Sequence, residues 1–355
     1  MSNKKDNSRI AFILGGMGNG GAERVVSILA NHYASCGKKV DILTLLSPNC
    51  TYHLGPNVRL ICLAKEGESR KLQIFNWIFK LKKYYKEYRP YRMVSFFAKI
   101  NIVVMIAFLR NIGDIIVSER NDPSKDGRGI AVKFLTNLLY PKTKRVIFQT
   151  KWAQSCFSKR VISNSDIVYN PIKQISSQRV DITTDIVNVG KLLDQKNHKL
   201  LISAFHKISK EFPENKLVIY GEGEKRKELE NLIESFGLKG RVQLPGWTSE
   251  VHQKMASSQF FVLSSNYEGF SNALLEAMMI GVPCITTDCA GSNELIKNNV
   301  NGLITPVGCL EELVAAMRTM LGNPQLAEKL AEQGKKDVQK FSVDRVIGRW
   351  ESVID

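Results

Sequence analysis

The run Phe260-Phe261-Val262-Leu263-Ser264-Ser265-Asn266-Tyr267-Glu268-Gly269-Phe270-Ser271-Asn272-Ala273-Leu274-Leu275-Glu276-Ala277-Met278-Met279-Ile280-Gly281-Val282-Pro283-Cys284-Ile285 decides the fold of this chain. Residues 260–263 are continuously apolar and read as a buried strand; after Ser271 the spacing turns helical, with Leu274, Leu275, Ala277 and Met278 on the packing face. Strand, loop and helix in that order form the unit of an α/β architecture. Gly269 lets backbone approach a ligand closely, and Ser271 or Asn272 supplies a natural N-cap. The amides and positive dipole end of the helix then point into the loop, where an anion fits. Two carboxylates bracket the spot, Glu268 in the loop and Glu276 on the second helical turn, and either can accept hydrogen bonds from sugar hydroxyls.

Glu-x7-Glu followed by Ala-Met and Gly-x-Pro resembles the donor-site signature of retaining glycosyltransferases of family 4, which have the GT-B fold: two Rossmann-like α/β domains facing across a cleft. The resemblance implies that Glu268 lies beside the transferred sugar and Glu276 holds the ribose. It implies that Gly269, Phe270, Ser271 and Asn272 belong to the nucleotide-sugar site. As a solvated helix residue and a loop charge, the two glutamates would carry no function.

Working outward, 355 residues suffice for two domains, and 44% hydrophobic content excludes a disordered or fibrous chain. The formal charge of +16 is uneven: residues 1–180 hold 30 Lys and Arg against 11 Asp and Glu, and residues 181–355 hold 20 against 23. A basic partner surface therefore belongs to the N-terminal half. Seven cysteines, an odd number without Cys-x-x-Cys spacing, fit a reducing cytosol and neither zinc nor a disulfide framework. The apolar stretch 10–14 is too short for a signal core, and the longest apolar run, 102–109, falls short of the ~20 residues of a spanning helix. The expected location is cytoplasmic, peripheral on the inner face of the cell membrane.

In the first half, a strand at 9–14 runs into Gly15-Gly16-Met17-Gly18-Asn19-Gly20-Gly21-Ala22-Glu23-Arg24 and a helix to about Ser35. Gly16, Gly18 and Gly21 satisfy G-x-G-x-x-G, but the next strand, 39–46, lacks a terminal acid for a ribose and has only Asp41 near its start. The run resembles the first loop of the family's N-terminal domain, with Gly20 and Gly21 allowing backbone approach. Further strands are expected near 58–62, 92–97, 114–118, 145–149 and 166–169. Residues 70–89 carry an apolar stripe of Ile74, Ile78, Leu81, Tyr85 and Tyr88. Beside it runs a ridge of Phe75, Phe79, Lys82, Lys86 and Arg89, with Trp77 close by. Such a helix lies on an anionic membrane or grips phosphate, and equally packs on a core behind a solvated face. The surface over 70–92 is the expected membrane contact. After 116–118 comes Glu119-Arg120-Asn121-Asp122-Pro123, where related enzymes often place a histidine near the anomeric carbon; Arg120 stands there as catalytic candidate, with a loop salt bridge as the structural alternative.

The chain divides on paper into an acceptor-side domain 1–170, a linker 171–185, a nucleotide-sugar domain 186–340 and a returning helix 341–355. In the second half, 186–189 is followed by Gly190-Lys191-Leu192-Leu193-Asp194-Gln195-Lys196, which resembles the family's Gly-Arg-Leu and following lysine. Lys191 and Lys196 are then the catalytic cations on the departing diphosphate; lysine for arginine keeps the charge and loses the bidentate fork. Gly221 and Gly223 match a Gly-x-Gly of the nucleotide site, and Trp247 follows Gly246 where backbone meets the base, unless it simply packs. Glu294 and Asn301-Gly302-Leu303 complete the run.

No Asp-x-Asp motif is present, so no metal and no cofactor is expected beyond a nucleotide-sugar substrate, with a UDP-sugar as donor and a hexose or N-acetylhexosamine moved to a glycan or lipid-diphosphate-linked acceptor. Capsule, surface-polysaccharide or lipid-linked oligosaccharide synthesis is the implied setting. A same-fold UDP-sugar epimerase and an NAD-dependent oxidoreductase remain as alternatives. A nucleic-acid partner lacks a recognition motif.

Overall fold

The computed structural model describes residues 6–18, 20–64, 70–172, 175 and 177–355, with the side chains of 70–72 left aside. Asn19 of the glycine-rich turn and residues 173, 174 and 176 of the linker expected at 171–185 lie outside the described residues. The chain divides into two compact units, Met1–Pro171 with Asp344–Asp355, and Ile172–Val343.

In the first unit the strands are β1 (Asp6–Leu14), β2 (Lys39–Thr44), β3 (Val58–Cys62), β4 (Pro90–Phe96), β5 (Ile115–Ser118), β6 (Arg145–Phe148) and β7 (Ser165–Ile167). They form one parallel sheet ordered β3-β2-β1-β4-β5-β6-β7. Ile10 to Leu14 and Ile115 to Val117 are fully buried, which explains why these strands read as unbroken apolar runs: helices cover both faces. The final helix, Val343–Ile354, belongs here; its buried Trp350 meets Phe96 at 6.1 Å, and Ile354 O accepts from Arg92 Nε at 2.8 Å.

Asp41, the one acid on the strand where the G-x-G-x-x-G reading wants a ribose acid, though near its start, is buried on β2. It accepts from Arg9 (2.8 Å), Arg59 (2.8 and 3.0 Å) and Tyr84 (2.5 Å). Burial alone would raise its pKa, but these donors outweigh it and hold the carboxyl below the ordinary range. It is a structural hub with its oxygens occupied, which removes the one acid that the dinucleotide pattern could use.

The second unit has β8 (Asp185–Val189), β9 (Lys216–Tyr220), β10 (Val242–Gly246), β11 (Phe260–Leu263), β12 (Cys284–Thr287) and β13 (Leu303–Thr305). The sheet is parallel, ordered β10-β9-β8-β11-β12-β13, with Phe260 opposite Ile186 and Val262 opposite Ile285. Both sheets thus follow the doubly wound order that reverses beside their first strand, and that reversal places a ligand crevice at the carboxyl ends of β1 and β4, and of β8 and β11.

Candidate active site

In the second unit, the loops that leave β8 and β11 meet at the switch point. Leu192 is buried and anchors the first: its N–H donates to Glu222 O at 3.0 Å and its carbonyl accepts from Lys225 N at 3.0 Å. Gly221 has φ +148, and a Cβ there would collide with Gly190 O; a Cβ on Gly223 would collide with the Leu192 backbone. The Gly-x-Gly after β9 therefore lets the Gly190–Leu192 loop seat on it, and that seating leaves the Lys191 side chain exposed.

The two loops are then stapled together. Asn266 N donates to Gln195 O (2.8 Å), Asn266 Nδ2 to Asp194 O (2.9 Å), Gln195 Nε2 to Tyr267 O (3.0 Å) and Ser264 Oγ to Lys196 O (3.0 Å). The staple brings Lys196 Nζ to 2.5 Å from Glu268 Oε1, which also accepts from Ser265 Oγ at 2.6 Å. Glu268 is buried and Lys196 half-buried, so the pair is shielded from solvent screening. An ammonium has three donors, so Lys196 can hold Glu268 and still reach a phosphate oxygen. From behind, Thr287 Oγ1 donates to Ser265 O at 2.6 Å and Gly291 N to Glu268 O at 3.3 Å. A Cβ on Gly291 would strike Gly269 O, so the loop rests on a bare glycine that the sequence reading passed over.

Of the two N-cap candidates, Ser271 serves: its Oγ accepts from Leu274 N at 3.3 Å, and the helix Asn272–Ile280 ends on Gly281 at φ +93. Leu274, Leu275, Ala277 and Met278 are buried as expected, and so is Glu276. Glu276 Oε2 lies 3.2 Å from His252 Nε2, on a short helix Val251–Ala256 that the sequence reading did not contain. Phe270 is buried edge-on against Phe341 at 5.5 Å, which fixes the loop just before the cap. Trp247 is 72% exposed, so packing within the unit does not account for it.

His198 opens the helix behind the Lys196 loop. Asn188 Nδ2 donates to Val262 O at 2.7 Å, so its Oδ1 faces His198 Nε2 at 3.0 Å and assigns the proton to that nitrogen. Burial, reinforced by Lys196, pushes the imidazole down to about 4. A depressed folded pKa means stability that is complete above the ordinary histidine value of about 6.5 and lost as pH falls toward 4. The unit should lose roughly 3 kcal/mol over that window. Melting curves at successive pH values check this; His198→Gln should flatten the slope.

In the first unit, a cavity of about 510 Å³ opens where β1 and β4 adjoin, lined by Gly15, Gly16, Glu23, Lys99, Asn121 and Arg128 among others. Gly20 caps the helix Gly21–Ser35, and a Cβ there would meet the Glu23 carboxylate, so the close approach at Gly20 is made by the chain itself. Arg120, a catalytic candidate by resemblance, is buried between the rings of Phe96 (5.2 Å) and Trp350 (5.1 Å), with Nη1 donating to Asn170 Oδ1 at 3.1 Å. Burial lowers its pKa to about 9. Within its unit it braces the loop and presents no charge to solvent. The loop's salt bridge is instead Arg128 to Glu119 (2.7 Å) and Asp126 (2.6 Å). Among the described residues one set of possible metal ligands clusters, His32, Cys36 and Glu351, where the His32–Glu351 pair at 2.8 Å ties the last helix to the first.

Residues 173–337 match the family model Glycosyl transferases group 1. The chain is 28% identical to N-acetylgalactosamine-N,N'-diacetylbacillosaminyl-diphospho-undecaprenol 4-alpha-N-acetylgalactosaminyltransferase of Campylobacter jejuni, over 94% of this chain and 95% of that one. It is 26% identical to the GalNAc-alpha-(1->4)-GalNAc-alpha-(1->3)-diNAcBac-PP-undecaprenol alpha-1,4-N-acetyl-D-galactosaminyltransferase of the same organism, over 98% of each. Among solved structures, HepE of Anabaena in complex with UDP matches with a TM-score of 0.83 at 18% identity, over 98% of this chain and 99% of that chain. Sucrose-phosphate synthase from Thermosynechococcus elongatus matches with a TM-score of 0.84 at 18% identity, over 98% of each. On these comparisons the chain is a glycosyltransferase of GT-B fold, whose residues 173–337 match the glycosyl transferases group 1 model.

Proposed function

We propose that this chain is a retaining enzyme of family 4 that moves an N-acetylhexosamine or hexose from a UDP-sugar to a lipid-diphosphate-linked glycan. The observation that carries the donor half is the Lys196–Glu268 pair, held at the β8/β11 switch point beside the capped N-terminus of the helix Asn272–Ile280. Lys191, Lys196 and that helix terminus supply positive charge where a leaving diphosphate develops negative charge. They carry it without a resident metal in this scheme. Glu268, oriented by Lys196 and Ser265, faces the transferred sugar; Glu276, backed by His252, accepts the ribose hydroxyls; Gly269 to Asn272 line the phosphates, and Trp247 lies near the base.

In the reaction so written, the anomeric C–O bond to phosphate breaks while the acceptor oxygen bonds the same face of that carbon. The acceptor proton passes to the departing phosphate oxygen, and the nucleoside diphosphate leaves. The acceptor chemistry follows that of the Campylobacter relatives, whose names specify diphospho-undecaprenol substrates. For such an acceptor we place the enzyme peripherally on the anionic cytoplasmic face of the membrane, through 70–92. Exposed Lys82 and Lys86 favour this; Arg89 contributes less, since its guanidinium is laid over Tyr85 at 5.6 Å.

The test is product analysis by NMR after incubation with α-linked UDP-sugars and polyprenyl-diphosphate glycans. An α-linked product, with no glycosyl adduct on any enzyme carboxylate by mass spectrometry, is expected. A β-linked product, a trapped adduct, or conversion of the UDP-sugar to its epimer without acceptor would contradict the scheme.

A further inference from the structure

Three helices of the first unit, Arg70–Tyr88, Ala98–Ala107 and Ile130–Leu139, pack side by side on one face of the sheet. Their inner sides bury Trp77, Leu81, Tyr84, Ile102, Met105 and Leu139 in a single core. The sequence reading placed Trp77 near the outer ridge of the first helix; it points inward instead, together with Tyr84. The outer sides are apolar where solvent exposure would favour polar residues. Phe75 and Phe79 stand 73% and 69% exposed on the first helix, and Ile106 is exposed at the end of the second. On the third, Ile130, Phe134 and Leu138 are 88%, 66% and 47% exposed. The spacing i, i+4, i+8 aligns these last three as one ridge along the helix.

The charges carried by these three helices are mostly of one sign. Leaving 70–72 aside, the three helices carry Lys80, Lys82, Lys83, Lys86, Lys99 and Lys133 against one acid, Glu87, and the second and third have no acid at all. Among the described residues no helix is long and apolar enough to cross a membrane. An exposed apolar ridge on a face whose helices are rich in lysine matches an anionic bilayer surface: side chains enter the acyl boundary while ammonium groups stay at the headgroups.

We propose that the three-helix face is a monotopic membrane-docking surface for anionic lipid, and that the Ile130–Phe134–Leu138 ridge is the part that inserts. This deepens the proposed function, which assigned membrane contact to 70–92 alone; it makes that stretch only the flank of the docking face.

The experiment is sedimentation of the full chain with phosphatidylcholine vesicles holding 0 or 30% phosphatidylglycerol, for wild type, for the Ile130→Ser/Phe134→Ser/Leu138→Ser variant and for Ile130→Ser alone. All three positions are exposed, and a UDP-induced melting shift in each variant reports an intact fold separately from docking. Wild type should bind the anionic vesicles, weakly at high salt. The triple variant should partition at least tenfold less, and Ile130→Ser should fall between. Wild-type partition retained by the folded triple variant would overturn the insertion. So would a wild type that ignores vesicles but dimerises through this face, with the variant monomeric; that outcome identifies the surface as a contact between copies. A UDP shift that is missing in wild type counts against the donor reading and leaves the vesicle result standing on its own.

Discussion

Lys196→Met should lower kcat by about 10²- to 10³-fold at saturating donor, the scale measured when one preorganised donor to a developing anion is removed. In the proposed reaction its ammonium, held by a stapled loop before any charge develops, needs no reorganisation when the diphosphate leaves. The same substitution strips a buried carboxylate of its cation, since Glu268 Oε1 then keeps only the Ser265 hydroxyl. A stability loss of ~1–3 kcal/mol should accompany it. Lys196→Arg retains charge and should recover part of both, with the longer fork displaced from the 2.5 Å contact. Steady-state rates at saturating donor, with melting temperatures of all three proteins, separate the two effects. An unchanged kcat in a folded Lys196→Met enzyme would remove the lysine from the chemistry.

Gly221→Ala should be the most damaging small substitution in the second unit. Its φ of +148 is closed to residues with a Cβ, and the added methyl would run into Gly190 O, a backbone atom with no freedom to swing aside. Relief requires moving the Gly190–Leu192 loop, which carries Lys191 and is pinned through Leu192 to Glu222 and Lys225. We expect a loss of about 2–4 kcal/mol and weakened nucleotide binding. Gly237→Ala is the control: it also sits at positive φ, +66, yet nothing lies within 4 Å of its added Cβ. It should cost only about 1–2 kcal/mol and leave nucleotide affinity alone. Denaturant unfolding and nucleotide titration of the two variants make the comparison.

The elements were legible because parallel strands covered on both faces must be apolar along their whole length, as Ile10 to Leu14 and Phe260 to Leu263 are. The Ser271 cap and the packing face of its helix follow from local chemistry alone. What the sequence could not show is pairing across long separations. Lys196 and Glu268 are 72 positions apart, and nothing local says that their loops are stapled. His252 behind Glu276 and Gly291 beneath Gly269 were missed for the same reason, although an isolated glycine beside a helix start is a usable signal for close backbone approach. Arg120 read as functional by its place after β5, but its surroundings are set by Phe96 and by Trp350, which comes from the far end of the chain. Helical periodicity found a face on residues 70–89 without saying which neighbours would claim it. Trp77 and Tyr84 went to the core, and an outward apolar ridge at Ile130, Phe134 and Leu138 drew no notice because an apolar helix reads as buried.

Nucleotide titration of wild type and Glu276→Ala tests the donor site most directly. UDP should bind wild type, adding about 2.7 kcal/mol of stability at 100 times its Kd, while NAD does nothing. Glu276→Ala should weaken UDP by ~1–3 kcal/mol with the fold intact. UDP affinity unchanged in the variant, or a response to NAD alone, would contradict the assignment of the β8/β11 switch point as the nucleotide-sugar site.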